Sequence, residues 1–274
     1  MLNGLDHRDG CLVTERAGDD APWLVLVHGL SQDHRLFDRQ IDAFSPSFRL
    51  LLIDLPGHGL SRAVPGPYGL SEFADHIQKV VETNKASGAH FWGTHLGASA
   101  GLLLACRQAR IFRSLILESP VFPGRVMPSV VKFLPEVTAT ARQSGLAAAR
   151  ELWWQKGPWF DGMRQSPVQR WAAQHRRIID DFEGVPWLDA GLVSKPLEPL
   201  EDSLEKLSLP VALINGEHDL PDFIEAADAL EALIPQVSRF RIADAGGFPL
   251  REMPKRVNPV VWTFLADLAA RERT

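Results

Sequence analysis

Three short stretches of the chain hold residues that could do chemistry: Gly93-Thr94-His95-Leu96-Gly97, Gly97-Ala98-Ser99-Ala100-Gly101, and Gly216-Glu217-His218-Asp219. An imidazole has an unperturbed pKa near 6.5 and can take or give a proton near neutral pH. A serine in Gly-x-Ser-x-Gly can attack a carbonyl, but only where a strand ends in a tight turn into a helix. The strand here is Ala89 to Trp92 and its turn is Gly93 to Gly97, so the helix, starting near Leu96, takes Ser99 into its first turns. A serine there satisfies a backbone carbonyl more readily than it attacks a substrate. His28 and His58 belong to turn motifs and read as structural, Asp54 as tying a Pro-Gly turn, and His218 as solvated. No His, Cys and Glu grouping has metal-ligand spacing. There is no Gly-x-Gly-x-x-Gly phosphate loop either. No metal and no cofactor is expected.

The elements that must position these residues alternate along the chain. Trp23–Val27, Arg49–Asp54, Phe91–Trp92, Leu115–Leu117, Val211–Asn215 and Arg239–Ala243 read as strands, most of them apolar on both faces. Such runs suit a parallel sheet covered by helices on each side. Between them, Phe73, Ile77, Val80 and Val81, behind an N-cap at Ser71, follow helical spacing. So do Phe223, Ala227, Leu230 and Ile234, and Val260, Val261, Phe264, Leu265 and Leu268. From about Phe122 to Leu209 the strands stop. That stretch is helical in pattern, broken by Pro128, Pro135, Pro158, Pro167, Pro186, Pro196 and Pro199, and holds Trp153, Trp154, Trp159, Trp171 and Trp187. Most of these tryptophans read as packing, while one or two, Trp159 among them, can wall a ligand pocket.

The 274 residues, 45% hydrophobic and 23% charged, are ordinary for a globular protein of one large domain. A formal charge of −5 argues against a nucleic-acid binder, and the basic run Arg170–Arg177 reads as a solvated helix face. Two cysteines, Cys11 and Cys106, make no disulfide framework. The apolar runs are too short to span a bilayer and the first residues show no leader pattern, so a cytoplasmic protein free of membrane is expected.

The order of landmarks is specific. His28-Gly29-Leu30 ends one strand, Asp54-Leu55-Pro56-Gly57-His58-Gly59-Leu60-Ser61 follows the next, and then comes the 93–97 turn. The late acid of Gly216–Asp219 and Ala245-Gly246-Gly247-Phe248-Pro249 complete the series. This order resembles the α/β-hydrolase superfamily, in particular its capped esterases, enol-lactonases and cofactor-free haloperoxidases, over about Val13 to Leu268. The resemblance implies an α/β fold with a mostly parallel central sheet flanked by helices. It also implies a helical cap inserted after the sixth core strand, giving a core of 1–122 and 208–274 and a cap of 123–207.

The same resemblance assigns roles and exposes a departure. The family's nucleophilic serine is matched by His95 and its catalytic histidine by Gly247, while the acid is kept at Asp219. The backbone N–H groups of Leu30 and Leu96 match the family's oxyanion hole. His95 is therefore expected to lean toward Asp219, directly or through a water, which would raise its pKa and fix its tautomer, with Glu118 as a second candidate partner. His28, Glu118, Ser99, Gly247 and Trp159 are the other candidate pocket residues. The expected function is a hydrolase- or lyase-type enzyme acting on a small, fairly apolar carbonyl compound by acid/base chemistry at His95, without an acyl-serine. The alternatives are a catalytically silent small-molecule binder and a serine hydrolase working through Ser99.

Overall fold

The computed structural model describes residues 6–8, 10–14, 16–165, 169–188, 197 and 199–271. Pro167 and Pro196, the first five residues and the side chain of Arg170 lie outside the described residues. Eight strands form one sheet: β1 Asp6–Arg8, β2 Cys11–Thr14, β3 Trp23–Val27, β4 Arg49–Ile53, β5 Ala89–Thr94, β6 Phe112–Glu118, β7 Val211–Gly216 and β8 Val237–Ile242. Their order is β1-β2-β4-β3-β5-β6-β7-β8. From β3 to β8 all pairings are parallel, while β1 and β2 form an antiparallel hairpin laid against β4. The expected strands are all present, and Phe91–Trp92 and Leu115–Leu117 prove to be the centres of longer ones. The N-terminal hairpin has no counterpart in the sequence reading.

The helices are α1 Asp38–Phe44, α2 Leu70–Thr83, α3 His95–Arg107, α4 Pro128–Ser144, α5 Leu146–Lys156, α6 Asp161–Gln165, α7 Gln169–Asp181, α8 Val185–Leu188, α9 Glu201–Glu205, α10 Pro221–Leu233, α11 Pro249–Glu252 and α12 Pro254–Arg271. Phe73, Ile77, Val80 and Val81 are buried as their spacing predicts. The cap residue of α2 is Gly69 rather than Ser71, which lies within the first turn. Helices α4 to α9 all fall between β6 and β7, and no strand interrupts them among the described residues.

The topology fixes where a site can form. β3 lies between β4 and β5, so the connections leaving β3 and β5 run in opposite directions along the sheet. In open parallel sheets the crevice at the carboxyl ends of two such strands is where ligands bind. His28-Gly29-Leu30 follows β3 and His95 follows β5, so both stand at that crevice.

Candidate active site

β5 ends at Thr94 and α3 starts at His95, whose φ of +47° lies in the left-handed region. Most side chains resist that conformation, and histidine is among the few that tolerate it. The turn also needs close backbone approach: a Cβ at Gly93 would lie 2.6 Å from Ala98 Cα, and one at Gly97 would collide with the His28 carbonyl. The local sequence thus builds the sharp turn while placing an imidazole at its apex. The ring is only 8% exposed and is held between Phe223 and Phe248, with centroids 4.9 and 4.6 Å away. Neither Nδ1 nor Nε2 has a hydrogen-bond partner among the described residues. Burial pushes the imidazole pKa down to about 3, only partly opposed by the nearby Gly247 backbone. His95 is therefore a neutral imidazole with no side-chain partner among the described residues and the Gly247 backbone as its one polar neighbour.

The acids are elsewhere engaged, which corrects the expectation of a direct pairing. Asp219 accepts hydrogen bonds from Ser119 Oγ at 2.6 Å, Asn215 Nδ2 at 2.7 Å and the Leu220 N–H at 2.8 Å. Even so, burial lifts its carboxyl to about 6. Glu118, fully buried at the end of β6, accepts from the Leu250 N–H at 3.2 Å and is raised well above the ordinary carboxylate range by burial. Neither carboxylate hydrogen-bonds the His95 ring, so its pKa falls where a partner would have raised it.

Other candidates sort by their surroundings. Ser99 is fully buried on α3; its Oγ lies 2.5 Å from the Val121 carbonyl and 3.1 Å from that of His95, and accepts from the Val121 N–H at 3.0 Å. It ties the helix to the β6–α4 connection. The ring of His28 is equally occupied, its Nε2 accepting from the Leu55 N–H at 3.0 Å and its Nδ1 lying 2.7 Å from the Gly29 carbonyl. Asp54 accepts from the His34 and Leu60 N–H groups at 2.6 and 2.8 Å, the loop-tying role read from its turn. At Gly247 a Cβ would meet the Trp159 carbonyl oxygen at 2.8 Å. The Pro158–Phe160 turn therefore occupies the ground on which the family's histidine would stand. Glu217, His218 and Asp244 bring ligand atoms within 4.8 Å of one another, a proximity the sequence spacing hid. All three are exposed, and Asp244 is ion-paired to Arg256 at 2.7 Å.

The elbow opens on a cavity of about 470 Å³. Its wall includes His95, Leu30, Leu96 and Trp159, together with Trp153, Phe223 and Phe248. His28, Glu118, Ser99, Gly247 and Asp219 are not on that wall. Phe223 and Phe248 were legible only as helix-core and turn residues; nothing in their spacing marked them as the clamp on His95. Leu96 is the second residue of α3, so its N–H is among those with no acceptor inside the helix. The arrangement joins a neutral imidazole to an apolar chamber, with helix N-terminal N–H groups beside it. Such a chamber can hold a carbonyl compound and exclude water from it.

Comparison with known proteins places this geometry. The chain is 33% identical to the magnesium-chelatase 30 kDa subunit of Rhodobacter capsulatus, covering 85% of this chain and 83% of that protein. It is 26% identical to carboxylesterase YbfK of Bacillus subtilis (strain 168), covering 90% and 81%. The solved structure of MenH from S. aureus superposes with a TM-score of 0.83 at 20% identity, covering 95% of this chain and 99% of that one. A sequence model of the alpha/beta hydrolase fold matches residues 22–252. With its strand order, its sharp turn after β5 and that match over most of its length, the chain belongs to the α/β-hydrolase fold family.

Proposed function

We propose that the protein is a hydrolase- or lyase-type enzyme acting on a small, fairly apolar carbonyl compound, with His95 as acid/base and no acyl-serine intermediate. The observation that carries the reading is the neutral imidazole, without a side-chain partner among the described residues, at the turn facing the 470 Å³, mostly apolar cavity. The substrate carbonyl oxygen would accept hydrogen bonds from the Leu30 and Leu96 N–H groups. Neutral His95 would take a proton from water or from an acidic C–H as negative charge gathers on that oxygen, then return it to the leaving group or the carbanion. An imidazole with a pKa near 3 in the empty cavity is a weak base. An anion forming beside it raises that value during the reaction. Residues 123–207 would act as the cap that closes the chamber over a core of 1–122 and 208–274. Neither Cys11 nor Cys106 is in a disulfide, which fits a reducing compartment such as the cytoplasm.

His95→Asn keeps a residue that tolerates the turn's φ and removes the titrating ring. Against a panel of short esters, enol-lactones and β-dicarbonyl compounds, it should lose about 10²–10⁴-fold in turnover. Fluorophosphonate probes should leave the wild-type protein unlabelled. Covalent labelling at Ser99, or full activity in the variant, overturns the reading.

A second reading, a ligand-binding protein without turnover, is favoured because no acid among the described residues hydrogen-bonds His95. One relative's name, a magnesium-chelatase subunit, also describes an assembly component rather than a hydrolase. Tight binding of apolar carbonyl ligands with no turnover across the panel would decide for it.

A further inference from the structure

The cavity wall is mostly apolar, with His95, Gln32, Ser71, Glu72 and Arg125 as its polar side chains among the described residues, and the pattern of unsatisfied groups at His95 defines what its ligand must offer. A neutral imidazole carries one N–H donor and one acceptor nitrogen in either tautomer. Here both are buried, the Gly247 backbone is the one polar group beside the ring, and the other nitrogen has no partner among the described residues. Gln32, 3% exposed on the same wall, presents a second unpaired acceptor, Oε1. Each such group left unpaired in a bound complex costs affinity. An ester or ketone offers only acceptors, so it can meet the ring N–H and the backbone donors but leaves the imidazole lone pair and Gln32 Oε1 unmet. A carboxylic acid offers both halves on one small head: its hydroxyl donates to an acceptor while its carbonyl accepts from N–H groups. We propose that the cavity binds apolar monocarboxylic acids head-first against His95, each taken up together with one proton. The inference rests on the reading of the Leu30 and Leu96 N–H groups given above and adds the ligand's head group to it.

Charge and size support the same class. Among the described residues the one cationic side chain on the wall, Arg125, lies over the Phe122 ring and pairs with Glu201 at 3.3 Å. It stands beside Val126, which is 70% exposed, and so belongs to the mouth rather than the deep end. A bare carboxylate at the deep end would be a buried charge without a cation, which is costly. The other titratable groups around the ring do not supply one. His175 on α7 is neutral, Glu72 is on the wall, and the carboxylates Asp219, Glu118 and Glu252 are bonded to their own donors. The complex therefore holds a proton that the two free partners lack at neutral pH, shared between the carboxyl and the imidazole. A volume of 470 Å³ takes about 15 non-hydrogen atoms at roughly 30 Å³ each, an acid of about eight to twelve carbons.

Isothermal titration of the full chain with octanoic acid tests this, at pH 5.5, 6.5 and 7.5 and in buffers of different ionisation enthalpy, with methyl octanoate as control. The expected result is uptake of close to one proton per acid bound. Affinity should weaken toward tenfold per pH unit as pH rises, and the methyl ester should show neither effect. His95→Gly, which suits the turn's φ, should weaken octanoic acid at least tenfold. Val130→Trp, which fills the wall, should block it with His95 intact. Binding without proton uptake, equal pH dependence for the ester, or unchanged affinity in His95→Gly overturns the inference. Turnover of esters without octanoic acid binding sinks this inference alone. Proton-linked acid binding with no turnover of any carbonyl compound sinks the catalytic reading and leaves this one standing.

Discussion

At the scale of single residues, the chain separates two serine and histidine environments that a pattern search would confuse. Ser99 satisfies the text of a nucleophile motif, yet its hydroxyl serves both backbone groups of Val121 from a fully buried position. Ser99→Ala should therefore leave whatever turnover the protein has within about twofold. It should cost about 1 kcal/mol of stability, because the half-buried Val121 N–H and C=O lose their partner. Thermal melting and steady-state rates on the same preparation check this: a hundredfold rate loss at unchanged Tm would return Ser99 to the site. His95 is the converse case. Its ring has apolar faces on two sides, the Gly247 backbone as its one polar neighbour and no side-chain partner among the described residues, whereas buried polar groups are normally paired at both ends. His28 shows the ordinary state only a strand away, with both nitrogens occupied by backbone.

At the scale of elements, the altered chemistry is matched by altered packing. The Pro158–Phe160 turn lies over Gly247, and Phe160 stacks on Phe248 at 5.4 Å with the rings 3° from parallel. Gly247→Ala places a methyl 2.8 Å from the Trp159 carbonyl oxygen, so the turn or the loop must shift. We expect a loss of about 1–3 kcal/mol in chemical denaturation, as for other overpacked sites; no loss would mean that the turn is loosely seated. For the same reason His95→Ser combined with Gly247→His should not yield an efficient esterase, because the new imidazole has no room. The parallel strands were legible because burial on both faces writes itself as unbroken apolar runs, and α2 because one face is buried. Cys11–Thr14 was not, since four residues carry too little periodicity to stand out from a loop. The turn at His95 was readable from its two glycines and the strand before it. The orientation of the Asp219 carboxylate was not, because Ser119 and Asn215, which hold it, sit 100 and four positions away with no pattern linking them.

At the scale of the whole molecule, the joint between the helices that follow β6 and the rest of the fold is built on buried neutral imidazoles, which makes its stability depend on pH. His175 on α7 is fully buried among Trp154, Phe160 and Phe248, with ring centroids 6.0, 5.4 and 4.7 Å away, and neither nitrogen has a partner among the described residues. Burial, with the nearby Arg251 and His95, holds its pKa well below 6.5. The sign follows from linkage: below pH 6.5 the unfolded chain binds a proton at this histidine and the folded one does not, so stability is full above that pH and falls as pH drops. His95 and His58, both held near 3 by burial, act in the same direction. The raised carboxyl of Asp219 acts oppositely, since its protonation favours the fold as pH falls toward 4 from about 6. His175→Phe isolates one contribution, replacing an unpaired imidazole by a ring of similar size in an aromatic box. At pH 8 the variant should gain about 1 kcal/mol from relief of the unpaired polar groups. At pH 5 it should gain up to about 2 kcal/mol more, the 1.5 pH units below 6.5 at 1.36 kcal/mol each. Melting curves at the two pH values should show a smaller drop in Tm for the variant than for the wild type. An identical drop in both would mean that His175 is solvated or paired, and that acid acts on this joint through some other group.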